Sequence, residues 1–328
     1  MKALSFKDQR TISIVVTVGA IALTALIGLA FDNNTTLTMM RIVIMALFAL
    51  SLNLQRGYGG IGNLGHSLYF GLGSYGVLLL AGKFGFSLIP ACILSIAFCM
   101  TLSGILGSLL LRTGKMISFM FLSFGLCSLV YTMFTKSTFM GNTSGLTYII
   151  RPAFMDNNKV LFIIIFAIAL VCIFLISLLV RSPFVAVVEG SRENEERLKF
   201  LGVNITNLRL LLYVFSSTFG CIAGVLYAIM NNGAYISSID IGMALQAMIM
   251  CVIGGGATLY GPIIGAVIVT LITNYLPLIT SWYNVIFGLI IVAVCYFLTN
   301  GLTDRDGLIA KLFRKVVQLF KKKAPDKA

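Results

Sequence analysis

Residues able to do covalent chemistry are few in this sequence, and none is spaced as a catalytic set. His66 is the only histidine, so no imidazole pair can ligate a metal, and a Ser-His-Asp arrangement would have to be built on this residue alone. Thr113-Gly114-Lys115-Met116 is the nearest approach to a phosphate-binding loop, and it lacks both the upstream glycine and the hydroxyl residue that follows the lysine. Cys92, Cys99, Cys127, Cys172, Cys221, Cys251 and Cys295 stand singly inside apolar runs, as small buried hydrophobes do. Asp32, Asp156 and Asp240 fall at the ends of apolar runs, and every glutamate lies between positions 189 and 196. Proton pumps and ion-coupled carriers place ionisable groups inside their spans, so this distribution counts against that class. No catalytic residue, metal site or cofactor is expected.

Three stretches remain that could carry function without bond making. In Gly57-Tyr58-Gly59-Gly60-Ile61-Gly62-Asn63-Leu64-Gly65-His66 the glycines are too dense for a stable helix. Gly254-Gly255-Gly256-Ala257-Thr258-Leu259-Tyr260-Gly261-Pro262 is a second such break. Irregular backbone at membrane depth survives only where protein or a watery cavity satisfies it, and broken helices mark substrate sites in transporters. Asn63, Gly65, His66, Gly71, Gly73, Gly254, Gly255, Gly256 and Gly261 are therefore the candidate translocation-pathway residues. Tight interfacial turns, or glycines that let helices approach closely, would leave the same pattern.

The third stretch is Ser191-Arg192-Glu193-Asn194-Glu195-Glu196-Arg197-Leu198-Lys199-Phe200-Leu201-Gly202. Ser191 reads as an N-cap, Glu193 as first-turn negative charge and Gly202 as a C-terminal stop. Glu193 with Arg197 and Glu195 with Lys199 are i,i+4 pairs in the favourable order. Leu198 and Leu201 are left on a short apolar edge. A helix of about ten residues is marginal by itself in water, so this one needs a surface to dock on.

The elements that must hold these stretches follow from composition. Of 328 residues, 59% are hydrophobic and 11% charged, far from a soluble globular domain. Runs such as 160–180 are apolar at nearly every position, which excludes the alternation of a membrane β-barrel. An all-α, polytopic membrane protein is expected, with about ten spans at 11–31, 39–55, 64–82, 87–111, 116–135, 159–180, 209–231, 241–255, 261–277 and 283–300. Lys2, Lys7 and Arg10 ahead of the first run resemble a signal peptide, but the run ends Gly28-Leu29-Ala30-Phe31-Asp32 without a small-x-small cleavage site and reads as a retained span. A net charge of +13 sets orientation here rather than nucleic-acid binding. Basic residues gather before the first run, at 181–209 and after 301, which puts both termini and that loop in the cytoplasm and 135–159 on the far side. Leu308, Ile309, Leu312, Phe313, Val316, Val317 and Phe320 alternate with lysines and arginines in the tail 303–328, the pattern of a basic amphipathic helix lying on an anionic lipid leaflet.

Glu196 and Gly202, six positions apart, resemble the cytoplasmic E-A-A-x-x-x-G loop by which ABC importer permeases contact their ATPases, with Arg197 and Leu198 in place of the alanines. The longer run Arg192 to Asn204 is similar to the corresponding loop of the bacterial branched-chain amino acid permeases (LivM type). Gly65-His66-Ser67-Leu68-Tyr69-Phe70-Gly71-Leu72-Gly73-Ser74-Tyr75 resembles that family's G-H-A-x-F-F-G-x-G-A-Y, and Gly254 to Ala266 resembles G-G-x-G-[ST]-L-[WY]-G-P-x-x-G-A, departing at Ala257. The likeness runs in order from about Met39 to Leu302. It implies a permease domain over 1–302, with a coupling loop at 181–209. It further implies a non-catalytic subunit of the bacterial inner membrane that works with a sister permease, two cytoplasmic ATPases that bind the ATP, and a soluble substrate-binding protein. Arg192, Glu193, Glu195, Glu196, Arg197, Leu198, Leu201 and Gly202 would form the ATPase-coupling segment. Branched-chain or other hydrophobic amino acids are the implied substrates. Urea and short-amide permeases share the loop, and Asn63 stands where a serine is common, so those substrates stay open. An ion-coupled transporter or channel is a more remote alternative.

Overall fold

A computed structural model describes residues 33–112, 116–147, 151–152, 155–193, 195–256 and 258–280, with single positions up to 292. The expected spans 11–31 and 283–300 lie outside these residues, apart from those single positions, as does the tail 303–328. For the other eight expected spans a helix is present. Among the described residues, six helices are long and apolar enough to cross a membrane.

Helix α1 (Asn33–Asn53) carries fourteen buried residues and passes into a π-helical turn at Leu54–Tyr58. From Ile42 to its end every residue is buried, so this part of the helix is the central post of the bundle, apolar on nearly every side because it is enclosed on every side. A short α2 (Ser67–Leu78), extended by a second π turn at Leu79–Lys83, is almost as deeply enclosed. It packs on α3 (Leu88–Leu111) and on the long α8 (Ile205–Asn231). Outside these lie α4 (Met116–Lys136) and α5 (Asn158–Val180). Their outward residues, among them Ile117, Phe121, Met133, Ile163, Val171 and Phe174, are exposed large hydrophobics, as befits helices bordered by lipid or another apolar surface. The bundle is completed by α9 (Ile241–Gly254) and α10 (Gly261–Ile279), which pack on each other and on α1.

Two-residue strands, β1 (Leu146–Thr147) and β2 (Gly233–Ala234), pair antiparallel with Leu146 opposite Ala234. This ladder, absent from the helical reading, ties the segment after α4 to the end of α8. Arg151 strengthens the tie by donating to the carbonyls of Ile229 and Met230, the last of which is 3.0 Å away. A cation at a helix C-terminus meets the partial negative charge of its unpaired carbonyls.

Glycine sets the closest approach between helices. A Cβ on Gly224 of α8 would collide with the Phe70 carbonyl of α2, and one on Gly73 of α2 with the Cys221 carbonyl of α8. The two backbones thus touch at two places. Beside them the Tyr69 and Tyr213 hydroxyls meet at 2.5 Å, so each buried phenol has a partner.

Candidate functional site: the segment 183–202 and the glycine-rich breaks

The candidate coupling segment is built on a helix that begins earlier than its sequence suggests. Helix α6 spans Pro183–Glu193, with Pro183 at its start and Ser182 before it, and α7 spans Glu195–Phe200; Asn194 lies outside the described residues. Ser191 is therefore not an N-cap. It sits in the last turn of α6, buried, and its hydroxyl donates to the Val188 carbonyl at 2.6 Å. Val185 and Val188 are buried on the same helix, and that amphipathic register outweighs the capping preference of a serine.

Gly202 does end α7 as expected. Its φ is +78°, its N–H donates to Lys199 and the Val203 N–H reaches back to Leu198, at 3.0 and 3.2 Å. These two bonds form a complete Schellman stop, which glycine makes at no steric cost. The expected Glu195–Lys199 pair forms at 2.9 Å. Glu195 also accepts from Arg209, at 3.0 Å, and the other Arg209 nitrogen lies 3.4 Å from the Ser191 hydroxyl. Arg209 belongs to the first turns of α8 and is nearly buried, so it holds α6 and α7 to the base of that helix. The Lys199 hydrogen bond, with the Arg209 charge in support, keeps the Glu195 carboxyl below its ordinary value.

Leu198 is half-buried in the structure, whereas Leu201 is 73% exposed and Phe200, which the sequence reading passed over, is 90% exposed. Glu196 and Arg197 point outward with them. The Glu193 side chain lies outside the described residues. Arg192 is exposed as well, but its guanidinium donates back to the Gly57 carbonyl in the first glycine-rich break.

That break is built by the end of α1. Gly59 and Ile61 N–H groups close the π turn on Leu54 and Gln55, Gly60 takes φ +69°, and the chain runs without regular structure to Asn63. Asn63 Oδ1 accepts from the Gly65 N–H at 2.9 Å and its amide donates to Gln55 Oε1 at 3.1 Å, which fixes the entry into α2. His66 is fully buried; its Nε2 lies 2.8 Å from the Ser51 hydroxyl and its ring stacks on Phe48 at 5.3 Å. In the second break Gly255 has φ +104°, and the Thr258 hydroxyl bridges the Gly255 carbonyl and the Gly261 N–H. The Asn53 amide donates to the Thr258 carbonyl at 2.8 Å. Two glycine stretches about 200 residues apart in sequence therefore share the end of α1 that also meets Arg192.

Among the expected pathway residues, Gly65, Gly71, Gly73, Gly254 and Gly261 occupy places where a side chain would overlap Ser123, Ile239, Cys221, Gly261 and Thr258 respectively. Gly256 is exposed, with open space where its Cβ would be. At the first break the buried Asn53 Oδ1, Gln55 Nε2 and His66 Nδ1 have no hydrogen-bond partner among the described residues. Arg209, Gly60, Gly220, Gly224 and Gly265 were not singled out in the sequence, although Gly220-x-x-x-Gly224 and Gly261-x-x-x-Gly265 are small-x-x-x-small signals for close helix contact.

The family model described as "Branched-chain amino acid transport system / permease component" matches residues 34–295. The high-affinity branched-chain amino acid transport system permease protein LivM of Salmonella typhimurium is 23% identical over 304 residues, which cover 81% of this chain and 68% of the relative. A probable branched-chain amino acid transport permease protein LivM of Methanocaldococcus jannaschii is 23% identical over 83% of this chain and 93% of its own length. The Escherichia coli LivM protein is 21% identical over 90% and 75%. No solved structure matches the chain significantly.

Proposed function

The chain belongs to the family of branched-chain amino acid transport system permease components, and on that premise we propose that it is one of two non-identical permease subunits of a binding-protein-dependent ABC importer. In this reading ten helices cross the bacterial inner membrane, both termini are cytoplasmic, and the basic tail 303–328 rests on the anionic leaflet. Two separate ATPase subunits bind and hydrolyse ATP, and a soluble binding protein delivers the substrate from the far side. Branched-chain or other hydrophobic amino acids are the proposed cargo, in keeping with the names of the relatives. The subunit itself makes and breaks no bonds.

The observation that carries the proposal is the outward tip of α7. Phe200 and Leu201 are bared to solvent at the end of a six-residue helix that a Schellman stop and the Arg209 clamp hold in place. An isolated helix of that length has no stability of its own, so its geometry is imposed by these ties and its apolar tip is offered to a partner. The breaks at Asn63–Gly73 and Gly254–Gly261 flank the proposed path, and the unpaired Asn53, Gln55 and His66 atoms give it polar lining.

Vesicles holding this chain, a sister permease and the ATPases should accumulate radiolabelled leucine only with internal ATP and with the binding protein outside. Uptake by the chain alone, driven by an ion gradient, would place it among secondary carriers. Preference for urea over leucine would reassign the cargo and leave the mechanism in place. Orientation is checked separately in a cysteine-depleted background. A Glu196→Cys variant should resist an impermeant maleimide added to intact cells, while Asn142→Cys should react; the reverse pattern would invert the topology.

A further inference from the structure

We propose that Arg192 is a positioning residue for coupling: it is the strut through which movement of the ATPase-docking helix reaches the glycine-rich break at the end of α1. The role rests on the docking proposed above and extends it inward.

The sequence groups Arg192 with the residues that would face an ATPase, but in the structure its side chain, although the residue is exposed, folds back onto the permease's own backbone. The stem lies over Gly60, where a Cβ would stand 2.9 Å from Arg192 Cγ and 3.1 Å from both Cδ and Nε. Gly60 adopts φ +69°, a conformation that glycine takes freely, so the bare backbone forms a saddle that the arginine fills. Beyond the saddle the guanidinium donates to the Gly57 carbonyl. Leu54 and Gln55 give their carbonyls to Gly59 and Ile61, and Arg192 takes the Gly57 carbonyl where the helix gives out.

Two of the side-chain ties that leave the α6–α7 unit differ in what they pull on. Arg209 attaches it to α8, a 27-residue helix seated backbone to backbone on α2 through Gly224. A continuous helix so packed moves as a body. Arg192 attaches the unit to a π turn followed by irregular backbone, where the regular bonding of α1 has already been interrupted. Segments of that kind absorb changes of φ and ψ in hinge motions. Displacement of α7 is therefore passed by Arg192 to the compliant element. From there the Asn63–Gln55 and Gly65–Asn63 hydrogen bonds hand it to the start of α2 and His66.

A static role is the competing explanation, because a cation near the last carbonyls of a helix stabilises it whether or not anything moves. The two are separated by measuring transport per ATP in the reconstituted importer. Arg192→Met keeps the stem over Gly60 and loses the donor. It should retain the ATPase on co-purification and keep the thermal midpoint of the complex, yet move roughly tenfold less substrate per ATP hydrolysed. Arg192→Lys, which can still donate, should recover most of that ratio. An unchanged ratio in Arg192→Met would overturn the strut, as would a loss of uptake matched by loss of thermal stability. Loss of the ATPase from Arg192→Met would also overturn it, by placing the residue in the docking surface. Failure of the unsubstituted chain to retain any ATPase would overturn the docking reading and the strut together.

Discussion

Gly71→Leu and Gly224→Ala should each abolish uptake, the first by driving a side chain into Ile239 and the second by forcing apart α2 and α8, which meet there without an intervening side chain. At Gly224 the new methyl would collide with the Phe70 carbonyl, a backbone atom that no rotamer change can move. Overpacking of a filled site by a methylene or two costs about 1–3 kcal/mol, and a backbone collision lies at or above the top of that range. At Gly71 the first obstacle is the Ile239 side chain, which can be trimmed. Gly71→Ala combined with Ile239→Ala should therefore recover part of the activity that Gly71→Ala loses, whereas no single trimming rescues Gly224→Ala. Gly104→Ala and Gly125→Ala, with open space at both positions, should leave transport and membrane abundance unchanged. Equal tolerance at all four positions, read as leucine uptake per unit of membrane protein, would mean that helix contact is not what these glycines secure.

The described spans were legible because length and unbroken apolarity are written directly into the residues: 158–180, for example, lies within one residue of its expected start. The glycine-rich breaks were legible for the opposite reason, since no helix tolerates that density of glycine. Their convergence was not. Asn53 bonding Thr258 and Arg192 bonding Gly57 are contacts between residues 205 and 135 positions apart, and nothing local encodes them. Ser191 misled because serine followed by acidic residues is a capping signature. The better signal stood nine residues earlier, in Ser182-Pro183, with proline at the first helical position. Gly202 was read correctly because a stop needs only one residue to adopt a left-handed φ. The outward Phe200 was missed because Leu198 and Leu201 fit a three-residue spacing, while exposure depends on how Arg209 tilts α7 against α8.

The second large effect concerns that tip. Phe200→Asp with Leu201→Asp removes two exposed apolar side chains and puts two negative charges in their place. Burying either side chain in a partner's groove is worth roughly 1.5–3 kcal/mol, so losing both weakens association by about a hundredfold or more. Folding of the permease should be unaffected, because both positions are already in water and the Schellman stop uses backbone atoms alone. Glu195→Gln weakens the Arg209 clamp instead and should reduce docking more modestly.

Retention of the ATPase on affinity-purified permease carrying Phe200→Asp and Leu201→Asp, at membrane levels matched to the unsubstituted chain, tests the coupling assignment most directly. Loss of the ATPase together with loss of ATP-dependent leucine uptake is the predicted result. Full retention with undiminished uptake would show that α7 is not where this permease meets its motor.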